Sequence, residues 1–226
     1  MKHVTSGVFA LTVAVPTVHG AMFGPGAYQS ASDSPFAGAA FQWWHLEDFD
    51  DGALNTPGVT APVGQVLGPA PLTDSVEPGS SFYSGDQHHT LTFIFDAGAL
   101  GGDLPTHAGI VWTDVGFLVS DVPPVASGGP ADVIFEAFDA LGVSLGVIGP
   151  VSVGDDAFNG GKDEDRFFGA VHAGGISRFT ITMPQSKDWE VDHLQYGFVP
   201  APASALILVA GAGMSRRARR APLMRR

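Results

Sequence analysis

The stretch TLTFIFDA, residues 90–97, alternates large apolar side chains with mostly polar ones. Successive side chains of an extended strand point to opposite faces. Leu91, Phe93 and Phe95 therefore share one face, and the threonines, Ile94 and the aspartate share the other. This alternation predicts a strand whose apolar face packs on a second layer of the protein.

Six further segments show the same short apolar or alternating runs, separated by glycine, proline, asparagine and aspartate. They are residues 109–121, 132–140, 143–149, 166–174, 176–184 and 189–198. Residues 140–142 lie between two of these segments and predict a hairpin turn. Short strands bounded by turn residues are typical of sandwiches and barrels. We expect an all-β fold, a single β-sandwich of jelly-roll type.

The chain has 226 residues and 45% of them are hydrophobic, which is enough for one domain with a sizeable core. We place the sandwich at residues 41–198, after an extended lead-in at 21–40. Within it, residues 61–81 predict a long loop with a short strand around 72–76. The chain has no cysteine, which excludes disulfides, thiolate metal sites and a cysteine nucleophile.

Charge is distributed very unevenly along the sequence. All 23 acidic residues lie between Asp33 and Asp192, whereas six of the 11 basic residues lie in the last eleven positions. The body is therefore strongly acidic and would repel a phosphate backbone, which argues against nucleic acid as a partner. Calcium or a neutral sugar suits such a body better.

The N-terminal residues 1–20 predict a secretory signal peptide. Lys2 is followed by an apolar stretch at 8–15 and by small residues before Ala21. This order matches a positively charged region, an apolar region and a cleavage site between Gly20 and Ala21. A buried first strand is the alternative interpretation.

The C-terminal residues 199–226 combine a proline pair, an apolar stretch and an arginine cluster. The residues that define this pattern are Pro200, Pro202, Arg216, Arg217, Arg219 and Arg220. The apolar stretch, 203–214, is shorter than the roughly 20 residues that a membrane-spanning helix needs. Arginines at its end favour the cytoplasmic side, which would place the body outside. We expect a short apolar helix here.

This tail resembles the PEP-CTERM sorting signal of exported bacterial proteins, with Ala201 where that family has glutamate. The resemblance implies delivery by the export machinery, transient association with the inner membrane and cleavage near the proline pair by an exosortase-like enzyme. The segments at 45–61, 105–116, 164–184 and 189–197 resemble a body of unassigned activity found in such proteins. For the tail, the alternatives are a plain C-terminal anchor and a poorly ordered basic segment.

Acidic residues lie near both the first and the last predicted strand of the body. The arrangement loosely resembles jelly-roll carbohydrate-binding modules that hold one structural Ca²⁺ between these two strands. The resemblance implies Glu47 and Asp192 as ligands, with backbone carbonyls completing the shell. The alternative is that both acids simply face solvent. A further acidic stretch at 154–167 lacks EF-hand spacing and predicts a solvated loop, with a metal site as the alternative.

Aromatic residues offer a second kind of site. Trp43 and Trp44 are adjacent, so in a regular strand they point to opposite faces and at most one is buried. The exposed one could stack on a sugar ring. Trp112 lies within an apolar run and is predicted to be buried. No histidine pair has the H-E-x-x-H spacing of a zinc site.

The sequence contains neither a nucleophile-elbow motif nor a phosphate-binding loop. Abundant acids without a motif are weak support for a glycosidase. We therefore expect an exported, non-catalytic component of the cell surface or extracellular matrix that binds carbohydrate or exopolysaccharide. Two alternatives stay open, a secreted polysaccharide hydrolase and a self-associating structural surface protein.

Overall fold

A computed structural model describes residues 20–70, 73–85, 87–118, 128–157 and 161–201. These residues form antiparallel strands in two sheets, together with one short 3-10 turn at Ala31–Asp33. No helix in this described part of the chain is long and apolar enough to cross a membrane. The predicted signal peptide, apart from Gly20, and the predicted apolar helix with its arginine cluster lie outside the described residues.

The strands follow one another along the whole body. In chain order they are β1 (Ala21–Ala27), β2 (Trp43–Glu47), β3 (Val59–Thr60), β4 (Gln65–Leu67), β5 (Ser81–Tyr83), β6 (Thr90–Phe95), β7 (His107–Val115), β8 (Ala131–Asp139), β9 (Ser144–Val153), β10 (Arg166–Val171), β11 (Ile176–Thr182) and β12 (Trp189–Phe198). The seven segments predicted as strands coincide with β6 to β12. The boundaries differ by up to six residues, as at the end of the segment predicted at 109–121.

The two sheets have the strand order of a jelly roll. One sheet runs β1-β10-β7-β12-β5-β4, with β2 paired to β12, and the other runs β3-β6-β11-β8-β9. Without the first four strands, two four-stranded sheets remain, β10-β7-β12-β5 and β6-β11-β8-β9. From β5 onward the chain crosses between these sheets at every step except the β8–β9 hairpin. The predicted jelly-roll sandwich is confirmed.

The main core lies between the two sheets. Leu91 and Phe93 of β6 are fully buried there and Phe95 is nearly so, while Ile94 on the other face of the strand is 41% exposed. The apolar side chains of residues 90–97 that were predicted to face the core thus do so. Trp112 of β7 is also fully buried, as expected. Each large apolar side chain buried in this way contributes about 1.5–3 kcal/mol to stability.

A second, smaller apolar cluster covers the outer face of the seven-stranded sheet. Its buried members are Tyr28, Phe36, Val76, Val111 and Phe167. Two of them come from the lead-in predicted at 21–40, whose first residues form β1 and pair with β10. The lead-in segment is therefore packed on the sandwich, and the face that it covers carries both candidate sites described below.

Candidate functional site

Six acidic side chains are buried together on the outer face of the seven-stranded sheet. They are Asp74, Asp114, Glu164, Asp165, Glu190 and Asp192, and none is more than 8% exposed. We call them the acid cluster. Acids are almost never fully buried unless they are paired with an opposite charge or a metal.

Strand pairing brings most of the acid cluster together. Strands β10, β7 and β12 are neighbours in the sheet, and Glu190 of β12 pairs directly with Asp114 of β7. Arg166, the first residue of β10, pairs with Trp112, so Glu164 and Asp165 enter the sheet beside the end of β7. The cluster is thus assembled from distant parts of the sequence.

Asp74 reaches the acid cluster from the segment that covers it, residues 73–80. The backbone N–H of Asp74 donates to Oε2 of Glu190 at 2.9 Å, and the backbone N–H of Val76 donates to Oδ2 of Asp192 at 2.8 Å. The short strand predicted around 72–76 is wrong for its described part, and the strand of this region is β4 at Gln65–Leu67. The backbone here bonds to carboxylates instead of a neighbouring strand.

Three members of the acid cluster have carboxylates without a hydrogen-bond partner in the described part of the chain. Both oxygens of Asp74, of Glu164 and of Asp165 are buried and unpartnered there. The guanidinium of Arg166 donates to the backbone carbonyls of Asp163 and Asp165, not to these carboxylates. One oxygen each from Asp74, Asp114 and Glu164 lies within 4.8 Å of the other two.

Burial and mutual repulsion raise the pKa values throughout the acid cluster. Loss of solvation, with repulsion from Asp165 and Asp114 next, raises the pKa of Asp74 to about 9. Burial also raises the pKa of Asp114 and of Asp165 to about 8. It raises the pKa of Glu164 as well. The cluster therefore favours either protons or a cation at neutral pH.

The two acids predicted as calcium ligands lie in different environments. Asp192 belongs to the acid cluster and faces residues 74–76. Glu47 instead closes the following loop, where its carboxylate accepts hydrogen bonds from the backbone N–H groups of Phe49, Asn55 and Thr56 at 3.0–3.1 Å. A calcium shared by Glu47 and Asp192 stays a prediction, and the unpartnered oxygens belong to other residues.

A second candidate site is a pocket of about 220 Å³ on the same outer face, which we call the aromatic pocket. Its lining residues are Ala31, Ser34, Phe36, Ala37, Gly38, Ala39, Phe41 and Trp44. The rings of Phe41 and Trp44 are tilted against each other with centroids 4.5 Å apart, and Phe36 meets Trp44 edge to face. The residues at 37–39 are small, and the rings of Phe41 and Trp44 are partly exposed.

A glycine and a hydrogen-bond chain position the aromatic pocket. Gly197 of β12 pairs with Trp44, and a side chain there would come within 2.9 Å of the rings of Phe41 and Trp44. The hydroxyl of Ser34 donates to Gln195 at 2.6 Å, and the amide of Gln195 donates to the hydroxyl of Tyr28 at 2.6 Å. These bonds fasten the segment that carries Phe36 to the sheet.

The two adjacent tryptophans do point to opposite faces, as predicted. Trp44 borders the aromatic pocket and the outer cluster, whereas Trp43 packs against the main core and stacks on Phe198. Both are partly exposed, which fits the expectation that at most one is buried. Of the two, only Trp44 lines the pocket. Their assignment as ligand-binding residues stays a prediction.

Sequence reasoning found part of the acid cluster and missed the rest. Glu190 and Asp192 were recognised as acids near the last strand, but Asp74 and Asp114 were not. The solvated loop predicted at 154–167 is wrong for Glu164 and Asp165, which are buried. A signal for Asp114 exists, since an acid inside the apolar run GIVWTDVGFLV is out of place in a strand expected to be buried. Asp74 has no local signal, because only the tertiary fold covers it.

Comparison with known proteins gives one distant likeness. The K1 cleaved adhesin domain of Lys-gingipain from Porphyromonas gingivalis W83 superposes with a TM-score of 0.41 and 11% identity, covering 71% of this chain and 99% of that domain. No protein-family model matches the chain. No curated protein matches it either. The likeness assigns neither a ligand nor an activity, so function is argued from the two sites.

Proposed function

We propose that the protein is a non-catalytic β-sandwich module of the cell surface or extracellular matrix that binds carbohydrate in the aromatic pocket. The observation that carries this proposal is an open pocket of about 220 Å³ with two partly exposed aromatic rings, Phe41 and Trp44, beside the buried Phe36. Aromatic faces are apolar platforms on which sugar rings stack. The volume lies below that of sites for drug-sized ligands, about 300–1,000 Å³, and suits a single ring.

The lining of the aromatic pocket favours binding over hydrolysis. A glycosidase needs two carboxylates about 5–9.5 Å apart across the sugar. None of the eight residues that line the pocket is acidic. The acid cluster lies instead beneath residues 73–80 and is almost inaccessible. A net charge of −12 for the whole chain further favours a neutral sugar over an anionic one.

The proposal includes a location. The signal peptide at 1–20 and the PEP-CTERM-like tail at 199–226 support export, passage through the inner membrane and processing by an exosortase-like enzyme. Intact-mass analysis of protein recovered from the envelope and medium tests this part. A mass that starts at Ala21 and ends between Pro200 and Pro202 is expected, and a mass that retains Arg226 contradicts processing of the tail.

Affinity electrophoresis tests carbohydrate binding, with neutral soluble polysaccharides such as dextran and hydroxyethylcellulose in the gel. We expect retardation of the full chain, and loss of retardation in Trp44→Ala and in Ala37→Trp, which fills the pocket from its exposed rim. Trp43→Ala is the matched control, because Trp43 faces the main core. Unchanged retardation of both pocket variants, or none of the wild type, would contradict the proposal.

Self-association is a second candidate function, favoured by one observation. The β8–β9 hairpin exposes three apolar side chains, Leu141 at 87%, Val143 at 59% and Val147 at 53%. Strand β9 is also an edge strand, and exposed apolar edges pair readily with other chains. Light scattering should then show oligomers that Val147→Lys disperses. A monomer at every concentration would exclude this function.

A further inference from the structure

We propose that Asp74, Asp114 and Glu164 bind one divalent cation of the calcium type on the outer face of the seven-stranded sheet. The starting observation is geometric, since one oxygen from each residue lies within 4.8 Å of the other two. Oxygens that share one Ca²⁺ at 2.3–2.6 Å lie no more than about 5 Å apart. The three side chains are already close enough to share such an ion.

The hydrogen bonding provides an independent observation. Asp74 is 1% exposed and Glu164 is 2% exposed, yet none of their four carboxylate oxygens has a hydrogen-bond partner among the described residues. A buried carboxylate without a partner is strongly destabilising. Other buried acids of this protein, such as Glu47 and Glu190, have their donors in place. A bound cation would supply the interaction partner that the carboxylates of Asp74 and Glu164 lack.

The donor set selects the class of cation. All three ligands are carboxylates, and Asp165, whose oxygens are also unpartnered, stands next to Glu164 in the sequence. Hard oxygen donors favour calcium or magnesium over zinc, which prefers nitrogen and sulfur. Magnesium usually retains several waters, whereas calcium accepts six to eight oxygen ligands in flexible geometry, including both oxygens of a carboxylate. A crowded, buried group of carboxylates therefore fits calcium better.

The cation would join two parts of the fold. Asp114 lies in β7 and Glu164 lies two residues before β10, whereas Asp74 lies in the covering segment 73–80. That segment also carries Val76, which belongs to the outer apolar cluster. Binding at Asp74 thus holds the segment on the sheet, and removal of the ion favours its detachment. The aromatic pocket shares none of these ligands, so the two sites can be tested separately.

Equilibrium dialysis of the full chain against CaCl₂, after removal of metal with EDTA, is the test. Bound calcium is measured by atomic absorption, and thermal unfolding is followed by circular dichroism. We expect one bound Ca²⁺ per chain and a higher unfolding temperature with calcium. Asp74→Asn and Glu164→Gln should each weaken binding at least tenfold, and the double variant should bind no calcium at this site.

The metal-free unfolding temperature separates loss of the site from loss of the fold. Because each substitution removes a repelling charge, the metal-free variants should unfold at the same temperature as metal-free wild type or higher. Asp103→Asn is the matched control, since Asp103 is exposed in the loop before the opposite end of β7, and it should bind calcium like wild type. Absence of bound calcium in wild type, or full binding by the double variant, would overturn the proposal.

Discussion

Two loops of this sandwich each pack against a buried carboxylate, and the surroundings of the two carboxylates are opposite. Glu47, at the end of β2, directs its oxygens at three backbone N–H groups of residues 49–56, so the loop folds around the carboxylate. Asp74 directs its oxygens at other acids, and the described residues of its loop contribute no donor to them. A buried carboxylate can thus accept hydrogen bonds from the backbone around it, or it can lack donors and depend on a proton or a bound cation.

The largest expected effect comes from removing the satisfied charge. Glu47→Ala leaves three backbone N–H groups without their acceptor, and hydrogen bonds to charged groups contribute about 1.5–3 kcal/mol each. We expect the free energy of unfolding to fall by about 4 kcal/mol in urea denaturation, equally with EDTA and with calcium. Glu47→Gln keeps one carbonyl acceptor and should lose less. A loss that calcium modifies would make Glu47 a cation ligand after all.

The pH dependence of the metal-free protein should show the unsatisfied charges. Burial, followed by repulsion from neighbouring acids, raises the pKa of Asp74 from 3.8 to about 9. Acids with a raised folded-state pKa stabilise the fold fully below about pH 4, and this stability is lost as pH rises through 8 to 9. In EDTA we expect a loss of about 3 kcal/mol between pH 5.5 and 8.5 in urea denaturation.

Titration of a variant separates this pH effect of the acids from that of a buried histidine. Burial lowers the pKa of His193, which adds stability as pH rises and therefore opposes the effect of the acids. The same titration of Asp74→Asn retains the histidine contribution and should show a smaller fall. Stability that rises steadily from pH 5.5 to 8.5 in EDTA would mean that the acid cluster does not hold protons.

A smaller effect with the opposite sign is expected from Asp74 itself. In EDTA at pH 8, Asp74→Asn should raise the free energy of unfolding by about 1–2 kcal/mol, because asparagine is neutral without the proton that buried Asp74 must take up on folding. In saturating calcium the same variant should be less stable than wild type, because the ligand is gone. Chemical denaturation under both conditions measures this reversal. If Asp74→Asn is destabilised equally in EDTA and in calcium, Asp74 stabilises the fold directly, as Glu47 does, and does not bind a cation.

Asp192 lies between the two cases and should give the smallest effect. One of its oxygens accepts the N–H of Val76 and the other accepts the N–H of His193, yet burial, with repulsion from Asp50 and Asp48 as a smaller cause, still raises its pKa to about 8. Asp192→Asn keeps an acceptor and removes a charge, so the two changes nearly cancel. We expect less than about 1 kcal/mol in EDTA by urea denaturation. A larger loss would show that Asp192 is ionised and fully satisfied.

Most of the fold could be predicted from the sequence, because strand periodicity is a local property. The alternation of Leu91, Phe93 and Phe95 set the core face of β6, and turn residues marked the ends of β6 to β12. The short strands β3, β4 and β5 were less visible, since two or three residues carry no period. Segment 73–76 was misjudged because its N–H groups bond to carboxylates more than 100 positions away.

The acid cluster could be predicted only in part, for the same physical reason. Burial of an acid is visible locally only where the surrounding sequence is apolar, as around Asp114. The burial of Asp74, Glu164 and Asp165 depends on how β10, β7 and the covering segment meet. The opposite orientation of Trp43 and Trp44 was predictable from strand geometry alone, but the pocket beside Trp44 required the lead-in segment to fold back.

The position of β12 has a consequence for how the chain is made. This strand lies between β7 on one side and β5 and β2 on the other, so residues 189–198 are the last of the body to be synthesised and yet join the middle of a sheet. Until they arrive, β7, β5 and β2 lack this pairing partner. The sheet therefore closes only after nearly all of the body has been translated, and a chain interrupted before Trp189 would expose these three strands to its neighbours.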